Sequence, residues 1–312
     1  MLFFVASLAF ADEQNPFEFN YRINARPEFQ SNNDFDASTD DTTGFYRQNI
    51  RLISTGTWDG MVVRASFQDV RTWGTETVQP ASADLLVGLH EGYFQLGTQD
   101  NSQLWVRVGR QAYNFGKAHI LGPANWNIYG LAHDGIRIHY QQDTFSLDLL
   151  GVQQSNFRRF DSVCSLDDCT DFQSETITTN GDQLYFIHGK GNIAKDIQVQ
   201  PFTLIRIQNP TEESQNRERR VYSPGLLFFG NLSESFQFLL EGVYQFGQAA
   251  EDLDHQAWKG VVEFDFAAGP LGIKLHFEEN SGDGDATDDV DNNFEAFFPN
   301  NHGYRGWADK IG

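Results

Sequence analysis

The residues best placed for chemistry are basic side chains that recur at every second position of short segments. In residues 17–26, Arg22 and Arg26 alternate with apolar residues such as Phe19 and Ile23, and this spacing puts them on one face of a β-strand. Arginines along a narrow aqueous path lower the electrostatic barrier to anions and bind carboxylates through paired hydrogen bonds. The alternation predicts the following pore-lining residues: Arg22, Arg26, Arg47, Arg51, Arg64, Arg107, Arg137, His139, Arg206, Lys259 and Lys274.

The same face also carries carboxylates, so a purely structural role is the alternative. Glu91, Glu241 and Glu263 are examples, and such acids would pair with the basic residues and brace the fold. The basic residues outnumber the acids, whereas bracing alone requires parity. The pattern therefore favours an anion path.

Other chemistry is weakly represented. The sequence has no G-x-S-x-G, H-E-x-x-H or P-loop motif and its histidines are scattered, so we predict no enzyme, no cofactor and no metal site. Residues 283–291 are acidic enough to suggest Ca²⁺, but they lack the glycine and distal glutamate of an EF-hand loop. Cys164 and Cys169, close in sequence, predict a local disulfide in an exported protein.

Composition and charge narrow the class of protein. The chain has 312 residues, with 22 Lys and Arg against 43 Asp and Glu, a net charge of −21. This acidity argues against a nucleic-acid partner, because phosphate contacts need a basic surface. No apolar run approaches the roughly 18 residues of a membrane helix, and the abundant Phe, Gly and Tyr suit half-buried strands.

The first residues are typical of a secretory signal. Residues 1–11 contain an apolar stretch that ends in Ala9-Phe10-Ala11, a small-x-small cleavage pattern. The stretch has no basic residue before it, so we interpret it as a signal peptide with a truncated start. An apolar N-terminal strand is the alternative. Residues 12–312 then form the mature domain.

Period-two alternation predicts an all-β chain. The predicted strands are residues 17–26, 45–57, 61–72, 87–97, 103–110, 133–141, 144–153, 182–189, 195–207, 219–229, 234–247, 256–266 and 271–279. Short turns are predicted at 58–60, 97–101, 142–143, 190–192, 231–233 and 267–270. Long loops are predicted at 27–44, 74–86, 111–132, 154–181, 208–218, 247–255 and from 280 onward.

Alternation of short turns with long loops is typical of an up-and-down antiparallel transmembrane β-barrel. The short turns would be periplasmic, as would the N-terminus, and the long loops extracellular. Aromatic residues near strand ends suit the two membrane interfaces. They are Tyr46, Trp58, Trp73, Tyr93, Trp105, Tyr140, Tyr185 and Trp258.

Several segments, taken together, resemble the alginate export family of outer-membrane β-barrel porins. Residues 108–126 (VGRQAYNFGKAHILGPANW) and 133–140 (HDGIRIHY) are the most specific, and residues 68–74, 89–96, 281–285 and 297–309 follow the family order. The resemblance implies a monomeric barrel of about 18 strands that conducts an anionic polysaccharide such as alginate. It also implies pore-lining roles for Arg110, Asp134 and Arg137.

The sequence departs from the family pattern in two ways. His119 and Leu131 stand at or near positions that are usually arginine, which weakens the expectation for alginate itself, and a histidine there would make conduction pH-dependent. The family continues with further strands beyond the last matching segment, and thirteen is an odd number for a bacterial barrel. We therefore interpret the chain as lacking its C-terminal strands.

The sequence as a whole predicts an outer-membrane channel for an anionic polysaccharide or small anionic solute. Its partners would be outer-membrane lipid and lipopolysaccharide, with periplasmic export proteins as further candidates. One alternative is an outer-membrane barrel enzyme or surface ligand-binding protein. Another is a soluble β-sandwich that binds carbohydrate, in which the face of Phe17, Phe19 and Tyr21 would pack inside a core.

Overall fold

The computed structural model describes residues 3–4, 16–30, 42–73, 87–97, 103–154, 182–208, 218–285 and 287–300. Within these ranges no helix is long and apolar enough to cross a membrane. The chain divides into two compact units. Unit 1 comprises Met1–Gln142 with Ala296–Gly312, and unit 2 comprises Asp143–Glu295. Cys164 and Cys169 lie outside the described residues, so their disulfide stays a prediction.

Unit 1 is an antiparallel meander in which each strand pairs with the next one along the chain. Alternating apolar and polar residues produce long strands joined by tight turns such as Asp59-Gly60. The strands are β1 (Phe3–Phe4), β2 (Phe17–Gln30), β3 (Thr43–Trp58), β4 (Met61–Thr72), β5 (Val87–Leu96), β6 (Leu104–Gln111) and β7 (His133–Gln141).

Unit 2 repeats this meander and adds one short parallel bridge. The strands are β8 (Phe145–Gln154), β9 (Asp182–Ala194), β10 (Ile197–Gln208), β11 (Arg219–Ser233), β12 (Phe236–Ala250), β13 (Leu253–Ala268), β14 (Leu271–Asn280) and β15 (Val290–Asp291). The first seven pair antiparallel in sequence order, and β15 pairs parallel with β13.

All thirteen predicted strands are confirmed, but three predicted connections are wrong. Residues 190–192 and 231–233 lie inside β9 and β11, and the turns come later, at Lys195-Asp196 and Glu234-Ser235. The predicted long loop at 247–255 is the two-residue turn Glu251-Asp252. Turn-type residues such as Gly191 and Asn231 made the predicted strands end too early. Strand pairing overrides the local propensity of these residues, and the strands continue past them.

The two faces of each sheet have opposite character. On one face, here called the outer face, apolar side chains such as Phe19, Leu52 and Phe277 are 51%, 61% and 62% exposed. The opposite, inner face buries polar residues such as Asn49 and Lys259. A water-soluble protein buries its large apolar side chains instead. The soluble β-sandwich alternative is therefore wrong, because the face of Phe17 and Phe19 is exposed.

A β-bulge interrupts β5. Ser66 of β4 pairs with Glu91, whereas the adjacent Phe67 pairs with Leu89, which leaves His90 as the extra residue. His90 is 4% exposed. The bulge lets His90 point to the interior while Leu89 stays on the outer face.

Candidate functional site

The predicted basic residues of β2 and β3 lie on the inner face of unit 1, and the connection 112–132 packs against them. Arg26 donates a hydrogen bond from Nη1 to the carbonyl oxygen of Trp126 at 3.0 Å. Asn49 Nδ2 donates to the carbonyl oxygen of Ile128 at 2.5 Å. This connection was predicted as a polar loop, but it contributes buried apolar residues, namely Phe115, Ile120, Leu121 and Ile128.

Some of the predicted arginines of unit 1 have no carboxylate as a hydrogen-bond partner. Arg51 donates from Nη2 to Gln68 Oε1 at 2.9 Å and to the carbonyl oxygen of Tyr129 at 3.5 Å. Its Nε is buried without a hydrogen-bond acceptor. Arg107 donates from Nε and Nη2 to Gln95 Oε1 at 3.0 and 2.7 Å, and its guanidinium lies over the Tyr93 ring at 4.1 Å. In the described part of the chain neither guanidinium forms a hydrogen bond or ion pair with a carboxylate, and Glu91 acts on both only from a longer distance.

Arg22 belongs to the same group. It lies opposite Arg51 in the pairing of β2 with β3. Among the described residues its side chain has no ion pair or hydrogen bond, and the residue opposite it is a second cation. Like charges held side by side raise the local positive potential.

Other arginines of unit 1 are braced by acids. Arg26 Nε and Arg47 Nη1 lie 2.5 and 3.5 Å from the two carboxylate oxygens of Glu28. Arg64 Nε lies 3.0 Å from Glu91 Oε2. The two interpretations of the basic face, an anion path and a structural bracing role, thus apply to different residues. Only some of the arginines remain available to an external anion.

The predicted pore-lining residues of β6 and β7 do not all lie on the same face of the sheet. Arg107 lies opposite Arg137 and Trp105 opposite His139, on the inner face, where Arg137 approaches the Trp105 ring at 5.0 Å. Trp105 is only 2% exposed. The assignment of Trp105 and Tyr93 to a membrane interface is therefore wrong, because the rings of both contact the guanidinium of Arg107 on the inner face.

Arg110 and Asp134 occupy the other face. They lie opposite each other, one position past the pair Gly109 and Gly135, and therefore on the same side as Val108. Arg110 Nη1 and Asp134 Oδ2 form an ion pair of 2.8 Å, and the Asp134 side chain is 61% exposed. The register runs unbroken through Gly109, so no bulge turns Arg110 inward as a pore-lining role would require.

Backbone hydrogen bonds fix the 112–132 connection on residues 298–300. Phe298 N donates to Ile120 O at 3.1 Å, Gly122 N to Phe298 O at 2.8 Å, and Asn300 N to Ala118 O at 2.8 Å. Ala118 and Ala124 have positive φ values of 63° and 41°, which L-residues adopt at an energetic cost. The surrounding contacts thus hold this connection in one strained conformation.

Tyr113 is buried in this packing. Its ring stacks on His133 with a centroid distance of 5.9 Å, and its hydroxyl is buried with no hydrogen-bond partner within the described ranges. Burial raises the pKa of the Tyr113 hydroxyl above its ordinary range. The group therefore stays neutral at any physiological pH.

The predicted basic residues of unit 2 are all paired with acids. Arg206 forms hydrogen bonds with both carboxylate oxygens of Asp182, at 2.5 to 3.2 Å, and also pairs with Glu295. Lys259 Nζ lies 2.8 Å from Glu278. Lys274 Nζ lies 3.1 Å from Glu263, whose other oxygen is 2.8 Å from His276 Nδ1. In this unit the bracing role describes the cations better than an anion path.

The inner face of unit 2 also carries apolar residues. Leu184, Leu204, Val221 and Leu227 are at most 1% exposed and alternate with residues of the outer face. The inner face of this unit therefore combines ion-paired polar side chains with buried apolar ones.

Sequence reasoning missed several residues that shape the site. Glu28, His90 and Trp126 contact or adjoin the arginines of unit 1, and Glu295 pairs with Arg206 and with Arg219, from which it lies 3.0 Å. The apolar residues in the supposed polar loop were the available signal, because a connection that carries Ile120, Leu121 and Ile128 must bury them.

Among the described residues, no group of three His, Cys, Asp or Glu side chains is arranged to hold a metal ion. In the acidic segment, Asp285 Oδ1 accepts hydrogen bonds from the hydroxyl and amide of Thr287 at 2.6 and 3.1 Å. These bonds lower the pKa of Asp285. The carboxylate thus stabilises the turn of its own segment.

Comparison with known proteins gives one family and several similar structures. The family model described as "Alginate export" matches residues 15–312. The search of curated proteins found no match. The crystal structure of Pseudomonas aeruginosa OccK8 (OprE) superposes with a TM-score of 0.56 at 10% identity, over 96% of this chain and 75% of that one. Likeness at this identity concerns the fold.

Two further solved structures are more distant. A triple mutant of Rhodopseudomonas blastica porin gives a TM-score of 0.43 at 12% identity, over 85% of this chain and 84% of that one. The outer membrane channel DcaP of Acinetobacter baumannii gives 0.39 at 8% identity, over 88% and 94%.

Proposed function

The chain belongs to the alginate export family of outer-membrane β-barrel porins, and from this premise we propose that it conducts anionic solutes along the inner face of unit 1. Acidic sugars and their short polymers are the solute class that fits best. Conduction is passive, with no reaction catalysed and no cofactor required.

The observation that carries the proposal is the set of arginines on this face without a carboxylate partner. Arg22, Arg51 and Arg107 are held by neutral groups or by none. A guanidinium removed from water needs a compensating anion. A passing carboxylate supplies that charge, and the passage is thereby selective for anions.

The remaining predicted residues take different roles in this proposal. Arg26, Arg47, Arg64, Arg137 and His139 line the same path and tune its potential. The ion pair of Arg110 with Asp134 stabilises the ends of β6 and β7. Arg206, Lys259 and Lys274 brace unit 2 through their acids.

Orientation follows from the lengths of the connections. The turns at Asp59-Gly60, Lys195-Asp196, Glu234-Ser235 and Gly269-Pro270 would face the periplasm, and the connections at the other ends of the strands would face the medium. The latter would contact lipopolysaccharide.

Ion selectivity in a planar bilayer tests the proposal. The double variant Arg22→Ser, Arg51→Gln should lower the chloride-to-potassium permeability ratio about fivefold, which corresponds to roughly 1 kcal/mol of lost electrostatic attraction. Arg71→Ser is the matched control, because Arg71 lies in β4 on the outer face, paired with Asp69 at 2.9 Å. The control should leave the ratio unchanged.

Two outcomes would reject the proposal. A permeability ratio that is equal in the double variant and the parent would show that these arginines do not select the solute. A purified barrel that carries no current would instead favour a surface ligand-binding protein or an outer-membrane enzyme.

A further inference from the structure

Basic side chains on the outer face lie only near one end of their strands. In the described strands three arginines and no lysine lie on this face, namely Arg71 of β4, Arg110 of β6 and Arg220 of β11. Each is one residue from the strand end that adjoins a long connection. A charge on the outer face is costly near the middle of a bilayer and tolerated near its surfaces. The three arginines therefore lie at the level of the headgroups on the side that the proposed orientation assigns to the medium.

Arg220 is the most accessible of these three arginines. Its side chain is 50% exposed, against 32% for Arg71 and 33% for Arg110. Its Nη2 pairs with Glu218, and its Nε and Nη1 form no hydrogen bond or ion pair with the described residues. A guanidinium has five N–H donors. Arg220 can thus bind an anion from the membrane while it keeps Glu218 as its partner.

An aromatic cluster lies next to Arg220, on the side toward the membrane centre. Tyr222 follows two residues later in β11 and stacks on Phe246 of β12, with ring centroids 5.5 Å apart. Tyr244 stacks on Phe246 at 6.2 Å and lies opposite Trp258 of β13. Exposed aromatic rings on a barrel wall mark the membrane interface. Arg220 therefore lies on the headgroup side of this cluster.

A phosphorylated glycolipid fits this surface in each of its parts. Arginine binds phosphate through charge-assisted hydrogen bonds, and the faces of the aromatic cluster pack against the apolar C–H groups of a sugar ring. Acyl chains would lie along exposed apolar residues nearer the membrane centre, such as Leu226 and Leu240.

The acids of the same region limit what binds there. Glu218 pairs with Arg220, and Asp254 lies opposite Gln248, which itself lies opposite Arg220. Carboxylates repel further negative charge. The surface therefore favours a single phosphate over a polyanion.

We propose that Arg220 and the aromatic cluster bind one phosphorylated glucosamine unit of lipid A, the lipid anchor of lipopolysaccharide. The inference uses the orientation proposed above but not the anion path, because it concerns the outer face of unit 2. The bound lipid would also stabilise the folded β11–β13 wall, since a ligand that binds only the folded state shifts the equilibrium toward it.

Lipid binding by the purified protein in detergent micelles, measured by native mass spectrometry, tests this site. Diphosphoryl lipid A should bind at least tenfold more tightly than the same lipid without its phosphates, and Arg220→Gln should weaken its binding about tenfold, the usual effect of losing one charge-assisted hydrogen bond. Lys195→Gln is the matched control. Lys195 is an exposed cation in the turn at the opposite end of the strands, so its substitution should leave binding unchanged.

Two further probes identify the source of the phosphate. Phosphatidylglycerol has a phosphate and acyl chains but no sugar ring, and it should bind more weakly than lipid A. Inorganic phosphate should not displace the bound lipid. Equal affinity for phosphatidylglycerol, or displacement by inorganic phosphate, would overturn the assignment to lipid A.

The remaining outcomes separate this inference from the channel function. Unchanged binding in Arg220→Gln, an equal loss in Lys195→Gln, or equal affinity for the dephosphorylated lipid would each overturn the lipid site. Any of these results in an anion-selective barrel would leave the channel standing. Binding that depends on Arg220 in a barrel without anion selectivity would uphold the lipid site and reject the channel.

Discussion

At the scale of single residues, the arginines of one inner face differ in what neutralises them. Arg64 has Glu91, whereas Arg51 has only the amide of Gln68 and a backbone carbonyl. Alternation in the sequence predicted that such residues share a face, because the side-chain period of a strand is two. It could not predict their partners, since these come from other strands and from a connection whose path depends on the whole fold.

Gly130 lies beside Arg51 in the 112–132 connection. Its φ is +65°, and a Cβ there would lie 3.1 Å from Arg51 Nη2 and 3.2 Å from His90 Cε1. We expect Gly130→Ala to displace the guanidinium and to lower the chloride preference measured by reversal potential. The left-handed backbone should add about 1–2 kcal/mol of destabilisation.

Gly60→Ala separates these two effects. Gly60 has a similar φ of +72°, but a Cβ there meets nothing within 4 Å. This variant should share the loss of stability and keep the selectivity. If both variants changed selectivity equally, displacement of Arg51 would not be the cause.

Glu295 is a carboxylate of unit 2 that contacts two arginines. It accepts hydrogen bonds from Arg206 and Arg219, and its backbone exchanges two hydrogen bonds with the Gln245 side chain, at 2.8 and 3.0 Å. Glu295→Gln should lower the free energy of unfolding by about 2 kcal/mol, because it removes charge from two part-buried hydrogen bonds. Urea titration of the refolded protein measures this loss.

Glu251→Gln provides the comparison for that measurement. Glu251 is exposed in the turn between β12 and β13, so its substitution should change the unfolding free energy by less than about 0.5 kcal/mol. Equal losses in the two variants would contradict the role of Glu295.

At the scale of elements, the existence of the strands and the faces of their residues were predictable, whereas several connections were not. The alternation in β2 and in residues 262–266 of β13 gave both faces directly, since every second residue there is apolar. Arg110 was different: its face depends on whether the strand bulges at Gly109, and the register shows that it does not. The 112–132 connection was mistaken for a surface loop because its fixation depends on residues 298–300, which are remote in sequence.

Two adjacent residues of β3 can test which side chains of the strand lie on the outer face and which on the inner face. Leu52 is 61% exposed on the outer face, whereas Ile53 lies opposite Ser66 of the inner face. Leu52→Arg should cost about 2–4 kcal/mol in a lipid bilayer, the range for a charge near the middle of a barrel wall. Ile53→Arg should cost less, as it reaches polar surroundings. Equal costs in lipid-based unfolding measurements would contradict the assignment of faces.

At the scale of the whole molecule, the negative net charge contrasts with the anion selectivity that we propose. The chain carries −21, yet the inner face of unit 1 includes arginines that form no hydrogen bond with a carboxylate, such as Arg51 and Arg107. Screening decides which charges a permeating ion senses, since the Debye length falls from about 10 Å at 0.1 M salt to about 3 Å at 1 M.

Selectivity should therefore depend on ionic strength in a graded way. We expect the chloride-to-potassium permeability ratio to fall between 0.1 M and 1 M KCl but to stay above unity, because the arginines lie within a few ångströms of the path. A ratio that drops below unity at low salt would mean that the distant acids control the path.

Because of the bulge in β5, the deletion of His90 has a different effect on the sheet from the deletion of a neighbouring residue. Loss of a codon inside a regular strand would move all following side chains to the wrong solvent, lipid for water and water for lipid. His90 is the unpaired residue between Leu89 and Glu91, so its removal would leave those two neighbours alternating without a break. The codon of His90 can thus be lost or gained in evolution while the residues of β5 keep their faces of the sheet.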